Sequence, residues 1–302
     1  MLALISAGTV INYLDRTVLG IAAPQMSSGL HLSPTVMGIV FSAFSWSYAA
    51  AQLPGGWLLD RIGTRVAYFL AVTFWSAFTL LQGLARGVVS LVGFRLGLGM
   101  SEAPCFPANN RVVGAWFRAH ERAKATAVYT VGEYLGLACF GPLLFWISDR
   151  YGWRALFLVV GAVGMAFGAA WWLLYRDPPG SRLHGDSRAP VGWNQLRRLL
   201  RSRRIWGASL GQFGGNSTLV FFLTWFPSYL AKDRNIDSHR AGWFTALPYL
   251  AAAAESSLAA GRLTRYSGEP DRSTSHASSQ SYVDCSAHPQ LFWPIRCAAT
   301  WP

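Results

Sequence analysis

The feature that most constrains this chain is a series of long apolar runs. About 20 apolar residues carry an α-helix across the hydrocarbon of a bilayer, and such runs fall at 2–23, 32–58, 66–85, 91–113, 125–148, 155–175, 205–231 and 241–261. Those at 66–85, 155–175 and 205–231 contain no Asp, Glu, Lys or Arg. The fold expected is an all-α, polytopic membrane helix bundle. Composition agrees, because 302 residues that are 52% hydrophobic and 13% charged, with 14 Trp and 18 Phe, carry more apolar surface than a soluble domain can hide.

The formal charge of +12 would suit a nucleic-acid protein, so the positions of the basic residues matter. With the N-terminus on the cytoplasmic side, that side holds Arg61 and Arg65, then Arg111, Arg118, Arg122 and Lys124, then the arginine-rich stretch from Arg176 to Arg204. The other side holds only Arg86, Arg150, Arg154, Lys232, Arg234 and Arg240. This asymmetry follows the positive-inside rule and sets orientation, so no nucleic acid is expected as a partner. The partners expected are the lipid bilayer and a small organic anion, the chain acting as a monomer.

Cys105 and Cys139 lie in apolar runs, Cys285 and Cys297 in a polar tail, and no CxxC spacing occurs, which predicts neither a disulfide framework nor a metal site. All the histidines fall in polar connections or the tail, which disfavours a membrane metalloenzyme. Met1 leads directly into an apolar run without a basic leader or small-residue cleavage site, so no removable signal peptide is expected.

The runs divide six to two around 176–204, a connection that closes with GWNQLRRLLRSRRIW and reads as a solvated basic linker or a helix lying on the membrane surface. The organisation expected is a six-helix bundle over 1–175, a cytoplasmic basic linker over 176–204, a partial second bundle of two helices over 205–263 and an aberrant tail over 264–302. A local repeat supports two related halves: 38–65 and 242–268 share an opening Gly, an Ala-rich middle and a closing Gly-x-Leu. Beyond about Gly261 the text becomes rich in Ser, His, Arg and Pro with no run long enough to cross a membrane, which reads as a truncation or a change of reading frame.

Charges inside the apolar runs are few: Asp15, Arg16, Arg95, Glu102, Glu133 and Glu255. An ionisable residue at membrane depth costs at least a few kcal/mol, so it marks a site until shown otherwise. Arg95 and Glu102 are seven residues apart, on one helical face and separated by about 10 Å, and Gly93, Gly97 and Gly99 beside them permit close helix approach. Guanidinium groups bind carboxylates through paired, charge-assisted hydrogen bonds. A desolvated acid beside an arginine can trade its proton against an arriving anion, and each proton crossing the membrane releases about 2.3 kcal/mol per 100 mV. The alternative is internal salt bridges that only lock the bundle; two acid–arginine pairs accompanied by Asn12, Tyr13 and Tyr48 favour a site. Glu133 stands alone in VYTVGEYLG, either bonded to a neighbour or part of the site. In GGWLLDRIGTR, Gly56 and Gly63 permit tight packing while Asp60, Arg61 and Arg65 meet the cytoplasm, a pattern read as a conformational latch.

That pattern, Gly56-x-Leu58-x-Asp60-Arg61-x-Gly63-x-Arg65, resembles the signature between the second and third helices of the major facilitator superfamily. NYLDR at 12–16, FSWSYA at 44–49, RLGLGMSEAPCFPANNR at 95–111, GWRALF at 152–157 and LTWFPSYL at 223–230 resemble its anion:cation symporter branch, particularly proton-coupled sugar-acid transporters of the D-galactonate type. The resemblance covers about residues 1–253 and is absent beyond. It implies a complete N-terminal six-helix half, proton-binding carboxylates at Asp15 and Glu102, substrate-binding and gating roles for Arg16 and Arg95, and cavity-lining roles for Tyr13 and Tyr48. Galactonate-type members tend to carry Gln where this chain has Glu133. The function this implies is proton-coupled symport of a small organic anion, an aldonate or aldarate, across a bacterial-type inner membrane, with the proton as coupling ion and no other cofactor. The second reading is a transport-incompetent remnant; an enzyme is disfavoured because no nucleophile, metal cluster or cofactor loop accompanies the acids.

Overall fold

The computed structural model describes residues 1–177, 197, 200–234 and 236–266. The linker expected over 176–204 and the tail expected from 264 lie almost wholly outside the described residues. The helices are α1 (Leu2–Gly29), α2 (Pro34–Ile62), α3 (Thr64–Gly83), α4 (Val88–Glu102), α5 (Cys105–Trp116), α6 (Ala119–Leu174), α7 (Arg203–Lys232) and α8 (Ser238–Tyr266). No strand occurs among the described residues.

Every apolar run is helical, with two departures from the expected spans. The run 91–113 is two helices, α4 and α5, because Pro104 has no N–H to continue the ladder and the chain breaks directly after Glu102. The runs 125–148 and 155–175 join into α6, an unbroken helical assignment interrupted only at Gly152, where φ is 82° and ψ 166°. Gly63, between α2 and α3, has nearly the same values, φ 81° and ψ 166°. That region of backbone space is open almost solely to glycine, so each glycine makes a one-residue corner between two membrane passes.

The two corners share the pattern Asp-Arg-x-Gly-x-Arg, as Asp60-Arg61-Ile62-Gly63-Thr64-Arg65 and Asp149-Arg150-Tyr151-Gly152-Trp153-Arg154. At each, the last arginine reaches a carbonyl on a neighbouring element. Arg65 donates to the Trp172 carbonyl at 2.7 Å and Arg154 to the Ala85 carbonyl at 3.4 Å. This repeat within the first six spans escapes a search for long similar segments because it is only six residues long.

α1 packs along α6 and against α7, α3 packs along α6, α2 along α4, and α8 along the first arm of α6. Apolar side chains turn outward: Leu53 is 86% exposed, Val89 87% and Leu173 73%. Asn12, Asp15, Arg95, Glu102 and Glu133 are buried. Polar residues inside and apolar ones outside invert the arrangement of a soluble protein. α2, α3 and the stretch Glu121–Leu174 are long and apolar enough to cross a membrane by length and composition alone. The chain is an integral, multi-pass membrane protein.

Candidate functional site

Consecutive residues on an α-helix point 100° apart, so Asp15 and Arg16 meet the charged groups of α4 from different directions. Arg16 turns to α4, where its Nε donates to Glu102 Oε2 at 3.0 Å and its Nη2 lies 2.9 Å from the same oxygen in an ion pair. Asp15 is buried, with Glu102, Arg95 and Arg16 as its charged neighbours. The ion pair therefore runs from α1 to α4 rather than within either helix. Glu102 is 0% exposed and stands at the break made by Pro104, and Gly55 of α2 packs so close that a Cβ there would lie 3.2 Å from Pro104.

The Arg16 guanidinium sits in a cage of rings. Its Cζ lies 4.9 Å from the Tyr48 ring centroid, 5.0 Å from those of Tyr13 and Phe44, and 6.0 Å from that of Phe106. The Arg95 Cζ also lies 5.0 Å from the Phe44 centroid, so both guanidiniums share that ring. Aromatic faces attract the cations without neutralising them, leaving hydrogen-bonding capacity for another group. Arg95 Nε and Nη1 are buried with no partner in the protein.

A cavity of about 920 Å³ opens against this cluster. One wall comprises Tyr13, Arg16, Phe44, Tyr48 and Arg95 of α1, α2 and α4; the facing wall is α7, with Ser209, Gln212, Asn216, Ser217 and Thr224. α1 and α7 meet closely where a Cβ on Gly20 would strike the Leu223 carbonyl oxygen. Of the residues singled out in the sequence, Tyr13, Arg16, Tyr48 and Arg95 line the cavity. Asp15, Glu102 and Glu133 do not; they are buried and do not reach its lining. Phe44, Phe106, Gln212 and Asn216 were not singled out. A signal for α7 existed: Ser209, Gln212 and Asn216 at i, i+3 and i+7 form a polar stripe in an otherwise apolar run.

The residues read as a latch separate into distinct contacts. Arg111 Nη1 pairs with Asp60 Oδ1 at 3.1 Å and also donates to the Leu59 carbonyl at 3.1 Å, joining α5 to the end of α2. Arg65 covers the Trp172 ring at 4.6 Å while its own carbonyl accepts from Trp171 Nε1 at 3.2 Å. Arg61 lies over Trp57 of its own helix at 5.1 Å. Tight packing falls at Gly55 rather than at Gly56, whose missing side chain faces open space; likewise Gly97 and Gly99 are closely packed whereas Gly93 is not. Among the described residues no group of His, Cys, Asp and Glu is arranged to hold a metal ion.

A membrane helix bundle enclosing a cavity with cationic and polar walls has the architecture of a solute carrier. Residues 5–272 match the sequence pattern of the Major Facilitator Superfamily, and the chain belongs to that family. It is 41% identical over 273 residues to a D-galactonate transporter of Escherichia coli O6:H1, covering 83% of this chain and 63% of that protein. It is 37% identical over 279 residues to the probable galactarate/D-glucarate transporter GarP of Escherichia coli K12, covering 83% and 63%. Among solved structures it superposes on a bacterial homolog of the human lysosomal transporter Spinster in an inward-facing, unoccupied conformation (TM-score 0.64, 24% identity, 87% of this chain and 60% of that one). It also superposes on a D-xylose-proton symporter (TM-score 0.69, 13% identity, 87% and 68%). At those identities the structures establish the fold alone: a partial major facilitator bundle. The chain spans about 60% of the length of the sugar-acid transporter relatives it matches.

Proposed function

We propose that the chain is a carrier rather than an enzyme, and that its cavity takes a small polyhydroxylated organic anion, an aldonate or aldarate, in symport with protons. The observation that carries this reading is the pair of guanidiniums, Arg16 and Arg95, on one wall of a cavity whose other wall is neutral and hydrogen-bonding. A sugar acid has the matching halves: a carboxylate for the guanidiniums and a row of hydroxyls for Gln212, Asn216 and the serines. The names of the 36–41% identical relatives, which are galactonate and galactarate/glucarate transporters, point to the same class.

The ion pair suggests how a proton couples to the anion. While Glu102 is ionised it holds Arg16 through one hydrogen bond and the ion pair. A proton on Glu102 removes that charge and releases the guanidinium to the carboxylate of the substrate. Asp15, buried beside Arg95 and Glu102, is the second proton seat in this scheme. The orientation proposed places the N-terminus in the cytoplasm and the protein, as a monomer, in an inner membrane, in keeping with the arginine distribution.

Binding is tested before transport because the chain spans about 60% of the relatives' length. Equilibrium binding of labelled D-galactonate and D-glucarate to the purified full chain is expected, with neutral galactose excluded. Uptake into vesicles under an inward proton gradient then separates a carrier from a remnant. Uptake that Asp15→Asn and Glu102→Gln uncouple from the gradient supports symport, and binding without uptake supports the remnant.

A further inference from the structure

A second cavity, of about 430 Å³, lies between α1, α2 and α7 at the end of the bundle away from the Gly63 corner. Its lining includes Ser27 near the end of α1, Met37 in the first turn of α2, and Ser228 and Asp233 at the end of α7. Phe41 lines both this cavity and the one that holds Arg16 and Arg95. Along α7 the two linings follow one another, Gln212, Asn216 and Thr224 in the first, then Trp225, Ser228 and Asp233 in the second. The two hollows are consecutive segments of one seam between the same helices.

Rings close the seam where the segments meet. Phe41 of α2 and Trp225 of α7 pack edge to face, with centroids 5.2 Å apart and planes at 61°. Beside them α1 and α7 come as near as their backbones allow, since a Cβ on Gly20 would strike the Leu223 carbonyl. The two rings are held differently. Phe41 is 7% exposed and belongs to a core cluster with Ala23 and Met37, whereas Trp225 is 40% exposed. Gly38, one turn before Phe41, puts no side chain against the Trp225 ring; a Cβ there would lie 3.9 Å from it. An apolar constriction sheds water, so a hydrated anion passes it only when the rings part. An aromatic pair contributes about 0.5–1.5 kcal/mol beyond its buried area, little enough to be broken and remade in each cycle.

We propose that Phe41 and Trp225 form the partition of a single solute route, with Phe41 the fixed leaf, Trp225 the leaf that swings, and the smaller cavity the antechamber on the side away from the Gly63 corner. The inference rests on the carrier reading and adds to it the place at which the route is shut.

The test is thiol accessibility in the full chain, reconstituted in vesicles, with the charged, membrane-impermeant reagent 2-sulfonatoethyl methanethiosulfonate added on the face to which Asp233 leads. Ala49 lines the cavity with Arg16, and Ser228 the antechamber. Each is replaced singly by cysteine, and rates are taken over that of the chain without the new thiol. Ser228→Cys is expected to react from this face and Ala49→Cys to react slowly. Adding Phe41→Ala or Trp225→Ala is expected to speed the Ala49→Cys reaction by about threefold to tenfold, the shift in a closed–open equilibrium when an aromatic pair is lost. The Ser228→Cys rate should not change, and Trp225→Phe, which keeps a ring, should leave Ala49→Cys slow. Because Trp225 is the more exposed ring, Trp225→Ala reports on the partition even where Phe41→Ala unfolds the chain. An Ala49→Cys rate that Trp225→Ala leaves unmoved overturns the proposal, as does a Ser228→Cys thiol that does not react from this face. D-galactonate is expected to slow Ala49→Cys modification in the Trp225→Ala background. Faster labelling in that background without protection by D-galactonate overturns the sugar-acid reading and leaves the partition standing.

Discussion

The two walls of the cavity solve different problems. The wall built by α1, α2 and α4 carries Arg16 and Arg95 with Asp15 and Glu102 behind them, and it is organised by charge. The α7 wall carries Ser209, Gln212, Asn216, Ser217 and Thr224 and no charge at all. A guanidinium held near the centre of a membrane needs a counter-charge or rings around it, and the first wall supplies both: Glu102 at 2.9 Å and four aromatic faces. Neutral amides and hydroxyls need only hydrogen bonds, so α7 can present them from a single helix. The charged wall therefore has to be built cooperatively across three helices, whereas the neutral wall can change one residue at a time.

That difference orders what substitutions should do. The largest effect is expected from Arg16→Ala, which leaves Glu102 buried without its partner and should cost about 3–5 kcal/mol of stability, as removal of one member of a buried ion pair does. Adding Glu102→Gln should recover part of that loss in thermal unfolding. If the double variant is no more stable than the single one, the two residues are not acting as a pair. Next is Arg95→Lys, which keeps the charge but not the planar fork. D-galactonate should bind about thirtyfold to a hundredfold more weakly, in line with the loss of a charge-assisted hydrogen bond. Comparable weakening of a neutral polyol would blur the distinction between the walls.

Gly20→Val tests their spacing. The added side chain would strike the Leu223 carbonyl, forcing α7 from α1 at about 1–3 kcal/mol, the usual cost of overpacking. Both stability and D-galactonate affinity should fall. The smallest effects belong to Gln212→Ala and Asn216→Ala, each weakening D-galactonate by about threefold to tenfold through one neutral hydrogen bond. A short carboxylate without hydroxyls, such as propionate, should not distinguish either variant from wild type in the same competition assay. Sensitivity of propionate to Asn216→Ala would place the carboxylate on α7 and reverse the assignment of the walls.

The corners at Gly63 and Gly152 show how far the text carries and where it stops. Both glycines are readable as turns, and the Asp-Arg-x-Gly-x-Arg pattern around each is plain once the two are laid side by side. Their contacts are not readable: Asp60 reaches Arg111, Arg65 the end of α6, and Arg154 the Ala85 carbonyl, each on an element distant in sequence. The exposed Asp60–Arg111 pair contributes about 0–1 kcal/mol, so any latch it forms with Arg65 acts through geometry more than through affinity. Gly56 makes the same point in reverse, since a glycine at a signature position faces open space while its neighbour Gly55 takes the close contact with Pro104.

What the sequence determined by itself is the solvent and the rarity of charge. Runs of about 20 apolar residues can be satisfied only by spanning lipid as helices, and a handful of ionisable residues within them must be sheltered together. Those are local consequences of transfer free energy, which composition and spacing express directly. Which acid meets which arginine was decided by the tertiary structure. Asp15 and Arg16 are neighbours in the chain, yet the ion pair joins Arg16 to Glu102, 86 residues away. Helix rotation sets where a side chain points, and rotation is fixed only when α1, α2, α4 and α7 pack against one another; the cavity and its two unlike walls come into being at the same step.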